Sequence, residues 1–367
     1  MATSALRRAV ADRCKRLRAA LGDCRADAIL VTNPVEVAYL SGFTGEDSWL
    51  VVGSGKGWLI TDGRFMEESK RDCPDFAVTV RRGSLVETLA KVLRRKRVGR
   101  LGYDPSHVSV ALLSRLRRGL KGVSLNRVAD AVSDLRIRKD RLEVRAIRRA
   151  VRAAEDGWKA FRKHIRLGMT EQALAGELEH QMRRAGADGL AFPTIVATDA
   201  HAARPHAKPG RRKLNAGSIL LTDFGARVDG YVSDLTRVLF ADRIAPRALA
   251  VYEVVREAQA AGIAAVGPGA RLTDVDAAAR TVIEEAGYGE QFGHGLGHGI
   301  GLEVHESPRL APRGVKGRLE PGMVVTVEPG IYLRGRFGIR LEDDVLVTST
   351  GRTVLSRLPK APDDVVL

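Results

Sequence analysis

Two stretches of this chain, about 105 residues apart as measured from Asp223 to Glu328, are built to one plan, and a duplication of this kind restricts the fold more than any single motif. In the first, Gly168-Met169-Thr170 opens a helix with Leu174, Leu178 and Met182 on one face. A Phe and a histidine-bearing loop follow, and the apolar run Leu220-Leu221-Thr222 ends in Asp223, with Asp234 beyond a glycine-marked turn. In the second, Ala270-Arg271-Leu272-Thr273-Asp274 opens the helix, Val324-Val325-Thr326-Val327 ends in Glu328, and Glu342 lies on the return. Each pair reads as a strand, a turn and a returning strand that hold acids where core should be. Two αβ copies facing each other across a pseudo-twofold axis would bring the four carboxylates around one cavity. Unpaired buried carboxylates are costly, and a divalent cation removes that cost.

Ahead of the second hairpin lies Phe292-Gly293-His294-Gly295-Leu296-Gly297-His298-Gly299-Ile300-Gly301-Leu302-Glu303-Val304-His305-Glu306, which gathers three of the chain's eight histidines. Glycine lets backbone approach a ligand closely, and neutral imidazole ligates transition metals. A phosphate-cradling loop is a weak reading of the same spacing, because no Lys-Ser/Thr or helix start follows it. His298 is the expected fifth ligand beside Asp223, Asp234, Glu328 and Glu342. Four carboxylates and one imidazole suit two hard or borderline cations, with manganese, cobalt or iron favoured over a tetrahedral structural zinc. Two such ions bind and deprotonate a bridging water and hold a substrate carbonyl, which is the equipment of a hydrolase.

The first part of the chain is organised differently. Leu6, Val10, Leu17 and Leu21 mark an amphipathic helix, and Ala28-Ile29-Leu30-Val31 reads as a buried strand stopped by the Asn33-Pro34 turn signal. Trp49 to Val52 and Trp58 to Thr61 are strands joined by Gly53-Ser54-Gly55-Lys56-Gly57, and strand and helix signals go on alternating to about residue 130. Nothing in this α/β domain suggests chemistry, so a scaffold or oligomerisation role is expected. Between Asp130 and Asp140 the strand signals stop. A long helix striped by Val144, Ile147, Val151, Ala154, Trp158 and Phe161 begins there. The expected division is 1–135 and 136–367, and the fold class is α/β (α+β).

Arginines interrupt Met1 to Leu21, so no secretory apolar segment is present, and no apolar run is long enough to span a bilayer. A cytoplasmic protein without a membrane partner is expected. Cys14, Cys24 and Cys73 form no Cys-x-x-Cys pair and are expected to be reduced. A net charge of +16 raises the question of nucleic acid. The basic residues are scattered over helical faces without aromatic interleaving, so they read as a solvated surface with no specific nucleic-acid partner.

Taken together, Pro205-His206-Ala207, Asp223-Phe224-Gly225, Ser233-Asp234-Leu235-Thr236-Arg237, Gly297-His298-Gly299-Ile300-Gly301, Val304-His305-Glu306, Glu328-Pro329-Gly330-Ile331-Tyr332 and Arg340-Leu341-Glu342-Asp343 resemble the catalytic motifs of the pita-bread-fold metallopeptidases. The likeness is to the aminopeptidase P and prolidase branch, which cleaves Xaa-Pro bonds. Tyr39-Leu40-Ser41-Gly42-Phe43-Thr44-Gly45, Thr61-Asp62-Gly63-Arg64-Phe65 and Leu135-Arg136-Ile137-Arg138-Lys139-Asp140 are similar to its creatinase-type N-terminal domain and junction.

The resemblance implies a dinuclear centre held by Asp223, Asp234, His298, Glu328 and Glu342, with Asp234 and Glu342 bridging two divalent ions, manganese first and cobalt, iron or zinc as alternatives. It gives Glu328 a general acid/base role between the bridging hydroxide and the leaving imino nitrogen. His206 and His305 would hydrogen-bond the substrate and its tetrahedral intermediate, Tyr332 would touch substrate, and Arg340 would orient the acids. His201 and His294 receive no role beyond loop positions near the cleft. An Xaa-Pro aminopeptidase acting on proline-containing peptides is the expected activity, with a dipeptide-restricted Xaa-Pro dipeptidase as the alternative. A catalytically inactive binding module is a remote third reading, and a homodimer is implied by the same likeness.

Overall fold

The computed structural model describes residues 4–367, and the chain divides into two compact units, Met1–Arg136 and Ile137–Leu367. Among the described residues no helix is long and apolar enough to cross a membrane.

The first unit is built on a six-stranded mixed sheet. Ala28–Val31 lies inside it, antiparallel to Trp49–Gly53 and parallel to Arg100–Tyr103. All four of its residues are buried, as an uninterrupted apolar run in a sheet covered on both faces requires. The glycine-rich link does form a hairpin, pairing Trp49 with Ile60. Asn33-Pro34 ends the first strand by starting a helix. The Asn33 side-chain oxygen Oδ1 accepts the Val35 N–H at 2.9 Å, Pro34 supplies the first turn, and helix Pro34–Ser41 closes at Gly42 with φ of 78°.

The second unit contains the duplication. Asp140 and Glu143 form a reciprocal cap that starts helix Arg141–Arg162, and Thr170 caps Glu171–Arg184, which packs against it. The second pair, Pro246–Ala265 and Leu272–Glu285, repeats this arrangement. Sequence patterning passed over Pro246–Ala265, because its buried face is made of Ala248, Val251, Tyr252, Val255, Ala258, Gln259 and Gly262. Small and polar residues on a stripe mute its hydrophobic signal.

Each acid-bearing hairpin is two ladder segments and not one. Ile219–Phe224 pairs with Leu235–Phe240, placing Asp223 opposite Thr236, and after a break Ala226–Val228 pairs with Tyr231–Val232. Likewise Val324–Val327 pairs with Asp343–Val347, and Gly330–Leu333 pairs with Phe337–Arg340. Gly225 occupies the first break, where a Cβ would collide with the Ser233 carbonyl oxygen. Trp158 packs the first hairpin onto its helix, stacking on Phe224 and donating to Thr222 Oγ1 at 3.2 Å. Gln259 does the same for the second, donating to the Val327 carbonyl and to Asp343 Oδ2, each at 3.2 Å.

Candidate metal centre

The breaks in the two hairpins are where the acids sit. Asp223 is next to last in its strand, while Asp234, Glu328 and Glu342 lie in the gaps between ladder segments. The last three, freed from regular pairing, and the paired Asp223 turn their side chains toward one cleft of about 980 Å³. His298 is the middle residue of the short strand Gly297–Gly299, which pairs on one side with Glu306–Leu310 and on the other with Val324–Val327. A Cβ at Gly297 would collide with Thr326 and one at Gly299 with Ser307, so the histidine can be held this closely only between glycines.

Asp234, His298 and Glu342 offer ligand atoms that all lie within 4.8 Å of one another. His298 Nε2 is 3.3 Å from Glu328 Oε1 and 3.8 Å from Asp234 Oδ2, and its Nδ1 is 3.1 Å from the Gly299 carbonyl. That carbonyl can only accept, which puts a ring proton on Nδ1 and leaves Nε2 facing the acids as the atom available to a cation. Around them runs a fixed set of donors. Arg340 gives Nη2 to Asp223 at 2.5 Å, Nη1 to the Tyr332 hydroxyl at 2.7 Å and Nε to Thr236 Oγ1 at 3.1 Å. Thr236 in turn donates to Glu342 at 2.6 Å.

The electrostatics are those of an uncompensated anionic site. Burial pushes the carboxyl of Asp234 well above its ordinary range, helped by Glu342 and Asp223. Burial, with Glu328 and Asp223, does the same to Glu342. Asp223 is raised by burial, with Arg340 opposing and Glu328 adding to it. Glu328 goes the other way: burial would raise it, but the hydrogen bond and charge of His298 outweigh that and hold it low. Burial likewise works against the His298 imidazolium, and Glu328 overrides it to lift the pKa above the ordinary value. Asp223 Oδ1 is buried with no hydrogen-bond partner. Clustered carboxylates forced toward neutrality, an orphaned carboxylate oxygen and an imidazole nitrogen turned inward are the donor set a divalent cation satisfies.

His206, His305, Tyr332 and Arg340 line the same cleft as the four acids and the imidazole. The His305 ring lies 4.3 Å from that of His298, and burial followed by the His298 charge holds its pKa below the ordinary value. His294 also lines the cleft, with Nε2 3.0 Å from the Tyr332 hydroxyl. His201 does not: it is bound at 2.8 Å to the buried Glu171, whose carboxylate also accepts N–H groups of Thr198 and Gly210. Sequence reading missed Asp344, whose Oδ2 accepts the Asp234 N–H at 3.2 Å and whose carboxyl burial pushes up to about 8. It also missed Lys208, Glu290 and Arg309 on the cleft wall. The one local signal for Arg309 was its place four residues after His305 on the strand that returns past His298.

A family model described as metallopeptidase family M24 matches residues 145–349, and one described as the creatinase/prolidase N-terminal domain matches residues 13–138. An uncharacterized peptidase of Bacillus subtilis, YqhT, is 36% identical over 346 residues, 94% of this chain and 98% of that protein. Among solved structures, an Xaa-Pro dipeptidase from Bacillus anthracis is 33% identical with a TM-score of 0.94, covering 98% of this chain and 100% of its own. An X-Pro aminopeptidase from Thermotoga maritima is 36% identical with a TM-score of 0.90, covering 95% and 99%. A prolidase from Pyrococcus horikoshii is 29% identical with a TM-score of 0.89, again covering 95% and 99%.

Proposed function

The chain belongs to metallopeptidase family M24, with a creatinase/prolidase-type domain ahead of its pita-bread catalytic part, and from that premise we propose that it is a metal-dependent exopeptidase cleaving the bond between an N-terminal residue and a following proline. The observation that carries the reading is the convergence of Asp223, Asp234, His298, Glu328 and Glu342 on one cleft that His206 and His305 also line. These five side chains would hold two divalent cations, with Asp234 and Glu342 shared between them; the oxygen-rich set favours manganese, then cobalt, iron or zinc. When bound, such ions activate a water and polarise the scissile carbonyl.

The chain's own residues supply the rest. Glu328 accepts a proton from the attacking water and returns it to the proline nitrogen as the C–N bond breaks. His305, held neutral, and His206 donate hydrogen bonds to the carbonyl oxygen as it becomes tetrahedral. Arg340 clamps Asp223 and Tyr332, so the acids do not have to reorganise during the reaction.

The dipeptidase reading gains from Lys208 and Arg309 on the cleft wall. A dipeptide carries a free carboxylate into the cleft and a longer peptide carries a neutral amide at the same atom, so two cations favour the shorter substrate. The test is turnover of an Xaa-Pro dipeptide and an Xaa-Pro-Xaa tripeptide with manganese, before and after chelation. We expect activity on the dipeptide to exceed that on the tripeptide, to vanish with the metal and to return with manganese or cobalt. Equal activity on both substrates would favour the aminopeptidase reading. Activity that survives complete metal removal would overturn the whole assignment.

A further inference from the structure

We propose that the buried ion pair between Lys139 and Glu306 is the device that positions His305, an inference that rests on reading His305 as a substrate-binding group. Lys139 Nζ lies 3.0 Å from Glu306 Oε2, with side chains only 1% and 6% exposed. Lys139 belongs to the stretch Leu135 to Asp140, which the catalytic chemistry leaves without a role.

The argument starts from what holds His305. Its side chain makes no hydrogen bond to any described residue, and its one ring contact is with His298. Its place is therefore set by the backbone beneath it. Glu306, the next residue, folds that backbone: its Oε1 accepts the N–H groups of Leu302 at 2.9 Å and Glu303 at 3.1 Å, closing residues 302–306 into a turn with His305 on the closing limb. Lys139 fixes the other carboxylate oxygen. The far end of the turn is tied to the first hairpin, since Val232 N–H donates to the Gly301 carbonyl at 2.9 Å and Arg227 Nη1 to that of Leu302 at 3.3 Å.

A buried ammonium–carboxylate pair is a poor way to gain stability, since an apolar pair of equal volume often does as well or better. An apolar pair, however, cannot accept two amide protons or fix a direction. Gly301 shows how closely the pair is fitted: a Cβ there would come 2.7 Å from Glu306 Oε2 and 3.0 Å from Lys139 Cε. The pair fills the space over the glycine and turns the following limb toward His298.

Lys139→Met keeps the length of the side chain and removes its charge. Hydrogen exchange read by mass spectrometry on the metal-loaded protein should then show faster exchange of the Leu302 and Glu303 amides, with the Ile219–Phe224 strand unchanged. On an Xaa-Pro substrate kcat and kcat/KM should fall together by about 10²-fold, the scale of a catalytic group misplaced by about 1 Å. Lys139→Arg should recover most of that loss. The double variant Lys139→Met/His305→Ala should be no slower than His305→Ala alone, because a positioning residue has nothing left to position. Losses that multiply in the double variant, or unchanged exchange at Leu302 and Glu303, would overturn the proposal. If Lys139→Met does not fold, Glu306→Gln carries the same exchange and double-variant measurements with the same two outcomes. Wild-type protein inactive on every Xaa-Pro substrate would defeat the peptidase reading instead, and the exchange measurement would still decide whether the ion pair holds the turn.

Discussion

Replacing Arg237 with methionine would remove a guanidinium, itself 0% exposed, that ties the first acid-bearing hairpin to the second. It donates to the Thr236 carbonyl at 2.9 Å, the Glu342 carbonyl at 2.6 Å, Asp343 Oδ1 at 2.7 Å and the Leu358 carbonyl at 3.1 Å. Burial alone would raise the Asp343 carboxyl, and Arg237 together with Lys360 holds it below the usual range. Without Arg237 that carboxylate keeps Lys360, the Ser356 hydroxyl and the Gln259 amide, while three carbonyls each lose a donor. Breaking a buried pair by removing one partner costs about 3–5 kcal/mol, and the surviving lysine places this case near the lower figure. At about 2–4 °C per kcal/mol for a unit of this size, the catalytic unit should melt about 6–12 °C lower. Calorimetry of the metal-free protein, with urea unfolding followed alongside, measures the effect. Arg237→Lys, which keeps the charge and loses most of the donors, should fall between wild type and Arg237→Met. A shift under about 2 °C in Arg237→Met would refute the reasoning, because the pair would then be worth no more than an exposed one.

His305→Ala should keep metal content near wild type while kcat and kcat/KM fall together by about 10²–10³, whereas Asp234→Ala or Glu342→Ala should lower occupancy in elemental analysis; loss of metal from His305→Ala would place it among the ligands. Asp344, raised from 3.8 to about 8, favours its neutral form in the fold, so its contribution to stability is intact below the lower value and is lost as pH rises through the upper one. Metal-free wild type should lose about 1.4 kcal/mol per pH unit across that window from this residue, and Asp344→Asn should flatten the profile; parallel curves for the two proteins would contradict this. Nucleic acid should bind weakly, without sequence preference, and with affinity that drops steeply with salt. Tight binding at physiological salt would reopen a binding role for the basic surface.

The α/β class and the duplicated second half could be read in the sequence because each rests on local signals: apolar runs that end in acids, glycine at turns, and helix starts repeated at one offset. The family could be read because its motifs combine residues of unusual type at short spacing. What stayed hidden is either weakly hydrophobic or far apart in the chain. In the stripe of Pro246–Ala265, Val251, Tyr252 and Val255 are diluted by Ala248, Ala258, Gln259 and Gly262, so its periodicity is faint. The break that splits each hairpin leaves no mark beyond Gly225 and Pro329, which equally suit an ordinary turn. Lys139 and Glu306 are 167 residues apart, and nothing local to either predicts that both are buried. Asp344 reads as one of three consecutive acidic residues, and only the Asp234 amide, 110 residues away, separates it from a solvated neighbour.

Dividing the carboxylates between two hairpins also sets a timetable for making the protein. Asp234 precedes Asp344 by 110 residues, so at about 5–20 residues per second the first hairpin leaves the ribosome some 5–20 s before the second. During that interval Asp223 and Asp234 exist without Glu328 and Glu342. On the proposed reading, the full ligand set is therefore available to metal only once the second hairpin has been made.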